Sequence, residues 1–72
     1  MKVIIDARGI PREERLLLIG RAFKRAEEGE IVVLADDDNE KVDISHAARN
    51  HGWVLKGIES HGGNYRITIS KD

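Results

Sequence analysis

The chain has 72 residues, of which 40% are hydrophobic and 35% charged, which suits one small domain over residues 1–72 and excludes a multidomain enzyme. There are 12 basic and 13 acidic residues, so the formal net charge is −1 and the overall positive field typical of nucleic-acid-binding proteins is missing. The sequence contains no cysteine, which excludes disulfides, zinc–thiolate sites and a thiolate nucleophile.

The apolar runs of the sequence are too short to span a membrane, and Asp6 interrupts the first of them. We therefore expect a soluble, cytoplasmic protein with no membrane partner. The sequence combines many charged residues with no glutamine or cysteine, a composition that favours a thermophilic source.

The first predicted element is a strand over Val3–Ala7, a run rich in β-branched residues. A tight connection over residues 8–10 leads into a helix predicted over residues 11–28, with Pro11 as its first residue and Gly29 just beyond its end. Apolar residues at helical spacing define one buried stripe along this helix. They are Leu16, Ile19, Ala22, Phe23 and Ala26.

Residues 31–35 are apolar at every position, which predicts a strand in the interior of a sheet. The acidic segment 36–39 offers several possible N-caps for a second helix, predicted over residues 40–51 and ended by Gly52. Its inward side chains are expected to be Val42, Ile44, Ala47 and Ala48.

Two further strands are predicted over residues 53–60 and 64–70, joined by a turn at residues 61–64 that contains Gly62 and Gly63. The order of elements is then βαβαββ. Right-handed crossovers place both helices on one face of the sheet. The predicted fold is an α/β (α+β) two-layer sandwich with a four-stranded mixed sheet, strand order 1-2-4-3, and an antiparallel fourth strand.

Several short motifs in this order resemble the SirA-like family, which includes the TusA-type sulfur carriers. They are Asp6-Ala7-Arg8-Gly9-Ile10, Gly29-Glu30, Ala35-Asp36-Asp37, Asp43-Ile44, Gly52 and Tyr65-Arg66. The resemblance covers nearly the whole chain and implies the same βαβαββ sandwich.

The resemblance also implies which position of this chain corresponds to the reactive cysteine of the carriers. In their pattern x-Cys-Pro-x-Pro, at the start of the first helix, the cysteine carries sulfur as a persulfide. Arg12 falls on the cysteine position here, and Glu13 and Arg15 fall on the prolines. Carrier activity is therefore not implied for this chain. Its Arg-Gly-Ile-Pro segment with Glu14 and Arg15 is similar to a SirA-like branch without an assigned activity.

The start of the first helix is the main candidate site, because free N–H groups and the helix dipole favour anions there. Arg8, Gly9, Pro11, Arg12 and Arg15 are the candidate residues for binding a small anion or a protein partner. The alternative is that the acidic residues of the first helical turn neutralise the arginines, which leaves an ordinary solvated helix start.

The acidic segment with Glu40 permits a hard-cation site, but helix capping and solvation explain it more simply. His46, His51 and His61 lack zinc-ligand spacing, so no metal or cofactor is predicted. The uncovered sheet face is a second candidate surface, for a partner or a homodimer. In the first two strands, two apolar sets alternate, of which only one can face the helices while the other forms this patch, extended by Trp53 or Val54. The first set is Val3, Ile5, Ile31 and Val33, and the second is Ile4, Val32 and Leu34. The alternative is a small patch that is simply tolerated.

These observations favour a non-catalytic SirA-like module that binds a protein partner or a small anion at the start of its first helix. A second hypothesis is an accessory protein of sulfur-transfer or redox metabolism that lacks the carrier cysteine. A third is an RNA-binding domain by fold analogy, which the net charge and the scarcity of aromatic residues disfavour.

Overall fold

A computed structural model describes residues 2–26 and 28–71. The elements in chain order are β1 (Lys2–Asp6), α1 (Arg12–Arg25), β2 (Gly29–Ala35), α2 (Asp38–Asn50), β3 (Val54–His61) and β4 (Asn64–Lys71). The strand order is β1-β2-β4-β3, with β1 parallel to β2 and β4 antiparallel to β2 and β3. The predicted fold class and strand order are confirmed. Neither described helix is long and apolar enough to cross a membrane.

The interior strand β2 supplies the centre of the hydrophobic core. Ile31, Val33 and Ala35 are fully buried on the helix side, and Val32 is fully buried on the other face, which is why this strand is apolar at consecutive positions. Two helices over one sheet face make a two-layer domain around a single core. The other core residues are Ile5, Ala7, Ile19, Phe23, Ala26, Ile44, Ala48, Trp53, Ile67 and Ile69.

The first helix is shorter than the predicted span of residues 11–28. Pro11 is its N-cap, with extended backbone (φ −57°, ψ 148°), and Ala26 is its C-cap with φ −83° and ψ 108°. The helix must stop early because Gly29 already pairs with Lys71 in the sheet. Gly29 therefore begins β2, with φ 110°, and is not the residue that ends the helix.

The second helix begins at the third of the acidic residues. The Asp37 carboxylate accepts a hydrogen bond from the Glu40 N–H at 3.0 Å and so caps the helix. The expectation that Val42 faces inward is wrong, since its side chain is 56% exposed. Glu40, Ile44 and Ala48 form the buried stripe, and a residue two positions from Glu40 and from Ile44 lies on the opposite side of a helix.

The last two strands form a hairpin with a two-residue turn. Gly62 and Gly63 both have positive φ, 54° and 85°, as a type I′ turn requires. Every residue of β3 is exposed, because the two helices do not cover all four strands and β3 lies at the edge of the sheet. Trp53 lies just before β3, buried in the core, and packs against Phe23 with ring centroids 5.6 Å apart.

The burial of Ile67 in β4 predicts how a substitution there changes stability. We expect Ile67→Val to lower the free energy of unfolding by about 0.5–1.5 kcal/mol, because Ile67 is fully buried and the lost methylene leaves a small cavity. Ile4→Val is the matched control, since Ile4 is 60% exposed, and it should change the free energy by no more than about 0.5 kcal/mol. Urea unfolding measures both. Equal losses would contradict the assignment of the two faces.

Candidate functional site

The loop between β1 and α1 is held in place by hydrogen bonds from Arg8 and Gly9 to two carboxylates. The Gly9 N–H donates to Asp36 at 3.0 Å, which ties this loop to the one that follows β2. Gly9 has φ 72°, a conformation that favours glycine. Arg8 donates from Nε and Nη2 to the two oxygens of Asp6, both at 2.8 Å. This pairing lowers the pKa of Asp6 to about 2.

At the first position of α1, Arg12 reaches across to α2. Its Nε and Nη2 atoms donate to the two carboxylate oxygens of Asp43, at 2.9 and 3.2 Å. The hydrogen bonds from Arg12 lower the pKa of Asp43 against its partial desolvation. The Arg12 side chain remains 67% exposed, so its outer surface faces solvent while its guanidinium is held in place.

One turn further along α1, Arg15 forms a buried ion pair. Its side chain is 5% exposed, and Nη1 lies 2.8 Å from Oε1 of Glu40, whose side chain is fully buried. Nη1 also donates to the carbonyl oxygen of Ile10 at 3.3 Å, and Nη2 lies 3.5 Å from Asp43. Burial raises the pKa of Glu40, an effect that the nearby Arg15 charge opposes. The pair joins the two helices beneath the surface.

The structure therefore divides the three arginines of the candidate site. Arg8 forms an ion pair with Asp6, the last residue of β1. With Arg66 and His61 it lines a polar hollow of about 490 Å³. Arg12 and Arg15 turn the other way and share Asp43 on α2. Glu13 and Glu14, the expected neutralising residues, form none of the ion pairs found among the described residues.

Glu40 and Asp43 were not predicted as partners of these arginines, although the sequence contains a signal for Glu40. Arg15 lies four residues before Ile19 and Glu40 lies four residues before Ile44, so each belongs to the buried stripe of its helix. Opposite charges on two facing buried stripes predict an ion pair between them. Asp43 lies beside the stripe, and only the packing of the helices brings it to Arg12.

The acidic segment before α2 is engaged within the chain. Ligand atoms of Asp36, Asp37 and Glu40 lie within 4.8 Å of one another, yet each carboxylate already has a partner in the chain. Asp36 accepts from Gly9, Asp37 caps α2, and Glu40 faces Arg15. The next acid, Asp38, accepts a hydrogen bond from the Tyr65 hydroxyl. Capping and pairing thus account for these carboxylates.

The uncovered sheet face is less apolar than its sequence indicated. Ile4 is 60% exposed there, but Val32, its partner on β2, is fully buried. The partner of Val32 on β4 is the polar residue Thr68. Val54 is exposed on the far edge strand, whereas Trp53 belongs to the core on the helix side and does not extend this face. Self-association through this face stays a prediction.

Fold and site together define a class of protein: a small βαβαββ sandwich that presents the N-terminal turn of its first helix at the surface. A model of the TusA family, described as sulfurtransferase TusA, matches residues 3–71, and the chain belongs to this family. The crystal structure of a SirA-like protein from Desulfitobacterium hafniense is similar, with a TM-score of 0.83 and 23% sequence identity over 94% of this chain and 95% of that one. A comparison with curated proteins found no match.

The buried ion pair predicts an asymmetric mutational response. We expect Arg15→Met to destabilise the fold by about 3–5 kcal/mol, because it leaves Glu40 charged and unpaired in the interior. Adding Glu40→Leu should recover most of that loss, since well-packed apolar side chains replace buried ion pairs at little cost. Urea unfolding of the single and double variants measures the coupling. A double variant no more stable than the single one would contradict the pairing.

The pairing of Asp43 predicts a pH dependence. Its folded pKa lies below the ordinary 3.8, so its contribution to stability is complete above that pH and is lost as the pH falls through the folded pKa. Asp43→Asn should therefore melt at a lower temperature than the natural chain near neutral pH, and this difference should shrink at acid pH. Melting curves at several pH values measure it. The control is Glu14→Gln, an exposed acid outside these ion pairs, and a difference independent of pH would contradict the prediction.

Proposed function

We propose that this chain is a non-catalytic docking module with a role in sulfur transfer, which binds a protein partner and carries no sulfur itself. The docking site is the α1 start surface, defined by Arg8, Gly9, Pro11 and Arg12, with Arg15 buried behind it as a positioning residue. The TusA family supports the connection with sulfur transfer. The lack of cysteine supports a role other than carriage.

The observation that carries this proposal is the state of Arg12. This residue stands where the resemblance to the carriers places the reactive cysteine, and Asp43 holds it by two hydrogen bonds. A bidentate pair fixes the guanidinium plane at a defined position on the surface. A fixed arginine whose side chain is largely exposed is a common anchor in protein interfaces, because part of its ordering cost is met before binding.

An exposed apolar strip further along α1 supports a protein as the occupant. On the next turns of α1, Leu17 is 63% and Leu18 is 40% exposed. Together with Ile10, Glu14 and Arg21 they line a shallow hollow of about 270 Å³. Apolar side chains surrounded by charged ones are the arrangement that protein interfaces use.

The carboxylate partners of the arginines favour a protein over a small anion. Arg8, Arg12 and Arg15 each face a carboxylate within 2.9 Å, so a phosphate or sulfate ion would compete with an existing partner. Arg15 is also buried, and the Gly9 N–H is already bonded to Asp36. A protein contacts the outer sides of these groups and leaves the pairs intact.

Leu17→Asp tests the docking surface. The substitution puts a charge into the apolar strip, so we expect it to weaken binding to a sulfur-relay protein of the same organism by about tenfold or more. Val54→Asp is the matched control, because Val54 is similarly exposed, at 57%, on the far edge strand β3. Titration calorimetry with the purified relay proteins measures both variants.

Two results would contradict the proposal. One is that none of the relay proteins binds the natural chain, and the other is that Val54→Asp weakens binding as much as Leu17→Asp. Melting curves in phosphate and sulfate decide between partner and anion. A rise in melting temperature that disappears in Arg12→Ala would favour a small anion at this surface.

A further inference from the structure

A second surface, which lies beside β1, contains none of Arg8, Gly9, Pro11 and Arg12 but shares Leu18 and Arg21 with the hollow beside Leu17. A groove of about 400 Å³ runs between β1 and the C-terminal half of α1. Val3 and Ile5 of the strand and Leu18 of the helix form apolar parts of its lining. The rest of the lining is Arg21, Ala22, Arg25 and Ala26.

The strand that borders this groove has a free edge. β1 is the terminal strand of the sheet and is paired only with β2, so its other edge presents unpaired backbone groups. The opposite edge strand, β3, is irregular between Leu55 and Gly57 and carries Lys56 there. Bulges and charges are the usual protection against strand addition. In β1 the pairing is regular and the three central residues are apolar.

The charges along the groove select the occupant. Arg21 and Arg25 line it, and among the described residues neither has a carboxylate within ion-pair distance. The arginines of the α1 start surface, in contrast, all have carboxylate partners. Two guanidiniums that have no carboxylate partner in residues 2–26 and 28–71, beside an apolar groove, are complementary to a segment that is both apolar and acidic.

The spacing of these arginines fits an extended segment. Arg21 and Arg25 are four residues apart on α1, which is about 6 Å along the helix axis. Side chains two residues apart on one face of a strand are separated by about 6.7 Å. A strand added to β1 therefore brings two acidic side chains of its helix-facing side opposite the two guanidiniums, and its next inward residue lies over Leu18.

We propose that β1 binds an extended acidic segment of a partner protein, which adds to the sheet as a fifth strand and fills the groove beside α1. Backbone hydrogen bonds to the free edge supply affinity, and alternate side chains in the groove supply specificity, as in other cases of strand addition. The helix-facing positions of the segment follow the order apolar, acidic, acidic along the direction from Leu18 to Arg25.

A second copy of this chain fits the groove poorly. Each copy carries its own α1 beside its own β1, so pairing two β1 edges brings four unpaired guanidiniums to one seam. Like charges placed together at an interface cost several kcal/mol. The acidic partner removes this repulsion, and for that reason we assign the groove to it.

Peptides test the proposal directly. The probe is the acetylated and amidated peptide Thr-Ile-Thr-Glu-Thr-Glu-Thr, together with its reversed sequence, because strand direction is left open. Titration into the ¹⁵N-labelled chain should shift the amide signals of β1 and of α1 from Leu18 to Arg25. A peptide with lysine in place of both glutamates should bind at least about tenfold more weakly. N-methylation of alternate peptide bonds should abolish binding, because it removes the donors needed for strand pairing.

Arg25→Glu is the variant of choice, because Arg25 lines this groove and not the hollow beside Leu17. It should weaken binding of the acidic peptide by about tenfold or more. Lys24→Glu makes the same change of charge one residue away, at an exposed position outside the groove lining, and should leave binding within about twofold. Melting curves show that both variants are folded.

Three results would overturn the proposal: equal affinity for the acidic and basic peptides, equal losses in Arg25→Glu and Lys24→Glu, or signal shifts confined to other elements. Leu17→Asp separates this surface from the docking site proposed above. If this substitution weakens binding of the relay protein but not binding of the peptide, the two surfaces are distinct. A dimer in sedimentation without peptide whose concentration-dependent amide shifts fall on β1, and which persists in Ile4→Lys because it does not use the uncovered sheet face, would assign the free edge to a second copy instead and overturn the acidic occupant.

Discussion

The ion pair between Arg15 and Glu40 is the interaction on which the arrangement of the two helices depends. It lies beneath the surface with both side chains almost fully removed from water, so each charge would be strongly unfavourable without the other. The pair therefore fixes how α1 and α2 meet. Glu40 also accepts from the Asp36 N–H at 3.2 Å, which connects the same interaction to the end of β2.

The Arg12 and Asp43 pair extends this interaction to the surface. Asp43 contacts both Arg12 and the buried Arg15, so the orientation of the exposed arginine follows from the buried pair. The chain belongs to the TusA family but has no cysteine, and its first turn of α1 carries arginines held by these two pairs. For the docking proposed above, side chains that are fixed before binding would reduce the ordering cost.

The coverage of the sheet decides which surfaces remain available. Two helices over four strands leave β3 exposed along its whole length and leave the edge of β1 open. The register of β3 is irregular and Lys56 lies at the irregularity, whereas the pairing of β1 is regular and its charged residues, Lys2 and Asp6, lie at its two ends. The start of α1 and the groove beside β1 also differ in charge pairing. Asp6 neutralises Arg8, whereas Arg21 and Arg25 of the groove lack such partners among the described residues.

Local pattern determined the order of the elements, the strand order, the hairpin turn and most of the core, because hydrophobic periodicity and glycine positions are properties of neighbouring residues. Helix ends were less predictable: the pairing of Gly29 with Lys71 ended α1 early. The arginines of the candidate site were visible in the sequence, but their separation was not. Only tertiary packing decided that Arg8 pairs with Asp6 while Arg12 reaches Asp43, because contacts between distant segments depend on how the helices meet across the sheet.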